Sequence, residues 1–338
     1  MNYTELHCHS NYSFKEGASS VEELLTRAKE LEYQALALTD HDNLCGAMHF
    51  AEVAKSLDIQ PITGAEISLK DGSHLTLLTE TRQGYSNLCN LLTYSYIVNG
   101  REDPGLDPKY LSEHAEGLVL LTGCRNGQIS SLLTQGQRTE AATVLRSYLD
   151  CFGTANVFVE LQQNLVKGDI SRNRQLMGLA SELNVGVVAT NNVHYHIQER
   201  HRLQDALVAI QHNKSLEETH RERRPNGEFY LKSSSEMSTL FKSYPEAIHN
   251  TLHIAERCAF DLTVDLNYQF PDYPVPQGHT PQSYLEELCF QAAMRRYGSV
   301  TERVRTRLEE EFDLIRKHNL AGFLLIYHEI IQLGRAIM

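Results

Sequence analysis

Histidines recur in this sequence at spacings that suit a metal. In LHCHS (6–10), His7 and His9 stand two residues apart at the end of an extended run. In a strand that spacing puts both imidazoles on one face, where their nitrogens can share a divalent transition ion. ATNNVHY (189–195) repeats the spacing with Asn192 and His194. His41 follows the apolar ALAL in LTDHDN, His74 opens SHLTLL, and Cys124 closes LTGC. Glu66 ends TGAE, and a carboxylate in an apolar run is costly to bury unless it is paired or metal-bound. Taken singly, each has a plainer reading: surface histidines, a structural His41, a small buried Cys124, an Asp40 that caps the next turn. Taken together they set metal-capable groups beside six of the seven strand candidates, more often than chance placement would. A set of N, O and S donors of this kind is suited to several ions and to phosphoester hydrolysis. The other histidines, His49, His114, His196, His201 and those from His212 onward, lack this placement and read as solvated or structural.

The elements that must position these groups alternate. Strand candidates are 3–8, 34–39, 60–66, 73–79, 117–122, 156–161 and 185–190. Several are continuous apolar runs, the pattern of strands buried on both faces. Amphipathic helical stretches fall between most of them, and 20–31 begins with Ser19, Ser20 and acids in its first turn, a helix N-terminal signature. Repeated strand–helix units imply an α/β fold with a parallel sheet, and seven of them a closed or nearly closed barrel whose site lies at the C-terminal strand ends. The barrel core runs to about residue 195 and a polar helical extension, broken at 220–233, to about 265. A Pro-rich connector follows at 266–281 (FPDYPVPQGHTP from 270), then helices through 282–338.

Bulk properties narrow the classes. The net charge of −12 argues against a general duplex-coating role, which needs a basic face, although bound cations would reverse the local field at a phosphate site. Seven scattered cysteines without a C-x-x-C pair do not form a disulfide framework and suit a reducing cytoplasm. The N-terminus MNYTELHCHS lacks signal-peptide character, and no apolar run reaches the ~20 residues of a membrane span.

HCHSNYSFKEGAS, ALALTDHDNL, GLVLLTGCRNG, ATNNVHY, RPNGEFYLKS and AERCAFDL resemble the polymerase-and-histidinol-phosphatase (PHP) family. More closely, they are similar to the N-terminal part of C-family DNA polymerases, the polymerase III alpha subunits, with a lean toward the error-prone branch. The resemblance covers essentially the whole chain. It implies a distorted seven-stranded (β/α)7 PHP barrel followed by a mostly helical C-terminal segment. It also implies a site for up to three divalent ions (Zn, Mn or Fe) at nine positions: His7, His9, Glu16, His41, Glu66, His74, Cys124, Asn192 and His194. By the same resemblance His7, His9, Glu66 and Asn192 hold one ion. Glu66, His74 and Cys124 hold a second, and Glu16, His41 and His194 a third. Two positions depart from the family's Asp: Glu16 adds a methylene, and Asn192 loses the charge, leaving Glu16, Glu66 and a Cys124 thiolate as the anionic ligands.

The activity so implied is 3′→5′ exonuclease hydrolysis of a single-stranded DNA 3′ end, with Arg125, Arg223 and Arg224 as substrate-binding candidates. The implied partners are the remaining polymerase domains and replication or repair proteins. The palm carboxylates and nucleotide-binding segment used for polymerisation have no counterpart in 282–338, which resembles the helical entry to the palm. The expectation is therefore a fragment that does not polymerise alone. Two other readings stay open: a PHP module kept as a scaffold of the polymerase, which Asn192 favours, and a small-molecule phosphatase of the histidinol-phosphate type, to which the basic loop with Arg221, Arg223, Arg224 and Lys232 looks superfluous.

Overall fold

The computed structural model describes residues 2–100, 104–266 and 270–337, so residues 267–269 of the expected connector and the last residue of the final expected helix lie outside the described residues. It divides into two units, Met1–Leu266 and Asn267–Met338.

The first unit is built on one six-stranded sheet with its strands in chain order: β1 (Ala35–Leu38), β2 (Gln60–Ser68), β3 (His74–Thr79), β4 (Leu118–Leu121), β5 (Val157–Gln162) and β6 (Gly186–Thr190). α1 (Val21–Glu30) precedes β1, and between the strands run α2 (Ala47–Ser56), α3 (Arg82–Asn99), α4 (Gln128–Thr134), α5 (Arg138–Phe152) and α6 (Asp169–Leu183). After β6 come α7 (His201–Gln211), α8 (Ser234–Leu240) and α9 (Pro245–Arg257). The start of α1 is a capping box: Ser20 Oγ accepts from Glu23 N, and the Glu23 carboxylate accepts from Ser20 N.

Two expectations about the barrel are corrected. The sheet is not wholly parallel: β3 runs antiparallel to both β2 and β4, while the other pairs are parallel. Only residues 69–73 join β2 to β3, too few for a crossover helix, and Gly72 takes the left-handed φ of 78° that this turn requires. Among the described residues the sheet also has six strands rather than seven. Residues 3–9 run extended between β1 and the chain just past β6, with Ala37 N donating to Glu5 O, Thr39 N to Cys8 O and His9 N to Val193 O. No continuous ladder forms, because side chains take the backbone donors: Thr4 N gives to Thr251 Oγ1, His7 N to Glu5 Oε1 and Cys8 N to Thr39 Oγ1.

The apolar runs are buried on both faces. Alternate residues such as Leu36 and Leu38 join the large cluster that includes α1 and α2, while Ala35, Ala37, Ile62, Leu78, Val119, Leu121 and Val188 form a second cluster with Ile254 and Cys258 of the α9 segment. The end of α9 is pinned opposite the strand ends that carry the site. Gln60, the first residue of β2, donates to Ala255 O and Cys258 O, and Arg257 pairs with Glu80 just after β3.

The second unit holds α10 (Pro281–Tyr297), α11 (Glu302–Lys317) and α12 (Ala321–Ile337) around Leu285, Ala321 and Leu325. Among the described residues no single helix is long and apolar enough to cross a membrane.

Candidate metal centre

Glu66 stands near the end of β2, next to the start of β3, and its carboxylate is the hub of a buried cluster. Because β3 is antiparallel, His74 begins it at the same edge, paired with Ser68; a parallel β3 would have carried His74 to the far side. His74 Nδ1 is 3.3 Å from Glu66 Oε1. The extended segment brings His7 Nε2 to 3.3 Å from Oε1 and His9 Nε2 to 3.6 Å from Oε2. His41, just past β1 and bridged in parallel to Glu66, places Nδ1 3.9 Å from Oε2. Two sets, His7–His9–Glu66 and His41–Glu66–His74, each offer ligand atoms within 4.8 Å of one another.

The donor atoms are left open toward this centre. His7 Nε2, His9 Nε2, His74 Nδ1 and Glu66 Oε1 are all buried without a hydrogen-bond partner, a costly state for polar atoms that a divalent ion would relieve. Around His9 the polarity is fixed by a chain: Ser13 Oγ donates to Asp40 Oδ1 at 2.6 Å and so accepts from His9 Nδ1 at 3.1 Å, leaving a lone pair on Nε2 facing Glu66. Burial pushes the His9 pKa down to about 3, keeping the ring neutral as a metal ligand must be. Burial also disfavours a charged His7, but the Glu160 and Glu66 carboxylates outweigh it and raise its pKa to about 10. His41 is likewise raised to about 10: burial opposes, while Glu16 and Glu66 dominate. Burial would raise Glu66, yet His74 and His7 hold it well below the usual carboxylate range. Protons on the imidazoles thus balance the carboxylates in the metal-free centre, and cations could take their place.

A further layer aims these ligands, as outer partners of metal-binding histidines commonly do. Sequence reasoning missed its main member. Glu160 in β5 is 1% exposed and sits 2.7 Å from His7 Nδ1, fixed in turn by Gln162 Nε2 at 2.7 Å and by Thr190 Oγ1. The signal was present, since VFVELQ sets a carboxylate in an apolar strand just as TGAE does. Glu5, also missed, accepts from Tyr3 Oη and from Asn191 N, and burial lifts its pKa to about 7. Asp40, read in sequence as a cap for the turn after it, instead accepts from Ser10 N, Ser10 Oγ and Ser13 Oγ, about thirty residues earlier in the chain.

The remaining sequence candidates lie around the same cleft, a cavity of about 500 Å³ lined by Glu16, Glu66, His74, Cys124, Arg125, Asn192, Arg223 and Arg224 among others. Glu16 contacts His41 Nδ1 at 3.1 Å. Cys124 is buried with Sγ accepting from Asn126 N at 3.4 Å, and burial, with Glu66 nearby, keeps the thiol well above its ordinary pKa. Asn192 adopts a left-handed φ of 48°, and its Oδ1 lies 2.9 Å from His194 Nε2. The His194 ring stacks on His9 at 4.3 Å and is also met by the Arg224 guanidinium, which lies over Phe229. His194 therefore faces Asn192 and Arg224 rather than joining Glu16 and His41 in one tight set. Arg223 is tied to Asp205 at 2.8 Å.

Residues 5–164 match the PHP domain family. Across 99% of its length the chain is 36% identical to the error-prone DNA polymerase of Symbiobacterium thermophilum, of which it covers 32%. Across 98% it is 36% identical to the DNA polymerase III subunit alpha of Treponema pallidum, of which it covers 30%. The chain thus spans about a third of the length of these curated relatives. Among solved structures, a lesion-specific endonuclease from Pyrococcus furiosus is similar at 16% identity and a TM-score of 0.37, over 57% of this chain and 48% of that one, a likeness too distant to carry function.

Proposed function

We propose, for a chain whose residues 5–164 are a PHP domain and which is homologous along its whole length to error-prone DNA polymerases and DNA polymerase III alpha subunits, that its buried centre hydrolyses phosphodiesters at the 3′ end of single-stranded DNA. The observation that carries this reading is the set of open imidazole nitrogens converging on one carboxylate. His7, His9 and Glu66 would hold one ion, and His41, Glu66 and His74 another; Zn, Mn and Fe suit this mix of donors. Glu16, Cys124, Asn192 and His194 complete the nine positions implied by the resemblance. Divalent ions held there supply Lewis acidity and charge neutralisation toward a phosphodiester.

The chain's own residues do the rest. Glu160 fixes the ring plane of His7, and the Asp40–Ser13 pair directs His9 Nε2 to the centre. Arg224 and Arg125, lining the cleft, offer guanidinium donors that match phosphate oxygens in pairs. The wider setting, a damage-tolerant or replicative polymerase together with its other domains and partner proteins, belongs to the same proposal. The test is hydrolysis of a 5′-labelled single strand by the Mn- or Zn-loaded chain, with a phosphomonoester as comparison. Shortening of the strand, lost with chelator and in His9→Ala, supports the reading; activity that survives His9→Ala, or a preference for the phosphomonoester, overturns it.

Asn192 favours a second reading, in which the module supports the polymerase and its metal site has weakened. The amide supplies no charge, and it is engaged with His194. If the site is catalytic, Asn192→Asp raises both metal content and hydrolysis; no change in either supports the scaffold.

A further inference from the structure

A second cleft has a lining that runs against the charge of the molecule. The chain carries 43 acidic and 31 basic residues, yet the cavity of about 400 Å³ between α4 and the start of α6 has Arg125, Lys167 and Arg172 in its walls and no carboxylate among its lining residues. Arg172 is buried and held, its Nη2 donating to Asp169 Oδ1 at 2.9 Å and to Gln162 O at 3.3 Å, so its charge is matched. Arg125 and Lys167 make no ion pair or hydrogen bond with the described residues. Ser131, Ser171 and Gln175 line the same space. Gly168, at a left-handed φ of 97°, starts the 15-residue α6 without a side-chain cap.

Unmatched cations beside free hydroxyl donors are the composition of a phosphate contact, and such contacts position a strand without reading its bases. Arg125 follows Cys124 directly and lines both this cleft and the metal cleft, so the two adjoin at one residue. We infer that the α4–α6 cleft is a second phosphate site, which holds a backbone phosphate of a single nucleic-acid strand whose end lies at the metal centre. Its place as a strand track rests on the phosphodiesterase reading of that centre. The shared wall at Arg125 favours a strand over a free phosphate ion, since an isolated ion would gain nothing from a cleft beside the metal centre.

The experiment is equilibrium binding of a 5′-labelled oligothymidylate to the full chain in chelator, where nothing is cut, as a function of salt. Each lost phosphate contact lowers the salt slope for single strands by about 0.7, equivalent to about eightfold weaker binding at 50 mM salt. Lys167→Gln is expected to show that change, and Lys167→Glu a larger one. Lys242→Gln, the same charge loss at an exposed site elsewhere, should show neither. Unchanged melting temperatures confirm that the variants fold. Equal affinity and equal salt slope for Lys167→Gln and the parent overturn the inference. So does inorganic phosphate binding that depends on Lys167 while strand binding does not. A strand that binds through Lys167 but is never cut by the metal-loaded chain sinks the hydrolytic reading and leaves the phosphate site standing.

Discussion

At the scale of single residues, the centre is a balance between protons and ions. In the metal-free chain His7 and His41 both titrate near 10, against 6.5 for a free imidazole. A raised pKa means that the protonated rings stabilise the fold fully below pH 6.5, a contribution lost as pH climbs through 10. An ion needs those rings neutral, so it competes with their protons. Metal affinity is therefore expected to rise with pH up to about 10 and then level off, with about two protons released on loading near pH 8. Calorimetric titration in buffers of different ionisation enthalpy reads the release directly; binding without proton release would contradict the balance. Much of this neighbourhood was legible in the residues: the two-residue spacing in LHCHS and the carboxylate in TGAE lead to the cluster. How the groups associate was not. His41 turns toward Glu66 and His74, and His194 toward Asn192 and Arg224, because those pairings depend on contacts between segments distant in sequence. Glu160 needed only the rule that singled out Glu66, applied once more.

At the scale of elements, apolar runs bounded by polar residues located β1 to β6 within a few residues. The segment 3–8 is a strand candidate in sequence, but the backbone N–H groups of Thr4 and His7 donate to the side chains of Thr251 and Glu5, and the Glu5 carboxylate also accepts from Asn191 N, so side chains take up the hydrogen bonds that a ladder would use. Strand direction at β3 follows from the five-residue connection, and this reversal is what brings His74 to the site. The role of α9 was not legible, since a polar helix after the barrel shows no sign in sequence that it covers a sheet face. Ile254 is fully buried there among Leu6, Ile62 and Val188. Ile254→Ala is expected to cost about 2–5 kcal/mol through lost burial and a residual cavity, measured by urea denaturation. A change within a few tenths of a kcal/mol would mean that α9 is not part of the cooperative core.

At the scale of the whole molecule, a strongly acidic chain sets its open imidazoles in one cleft and the unmatched Arg125 and Lys167 in the cleft that adjoins it. Glu66 belongs to both ligand sets, so its loss should empty them together while the apolar core keeps the fold. The most direct measurement is elemental analysis of the purified chain after equilibration with Zn or Mn and removal of free metal, beside Glu66→Gln. The account expects about two ions per chain, one for each set, falling close to zero in Glu66→Gln at an unchanged circular dichroism spectrum. A parent chain that retains no ion, or a Glu66→Gln chain that retains its full complement, would contradict it.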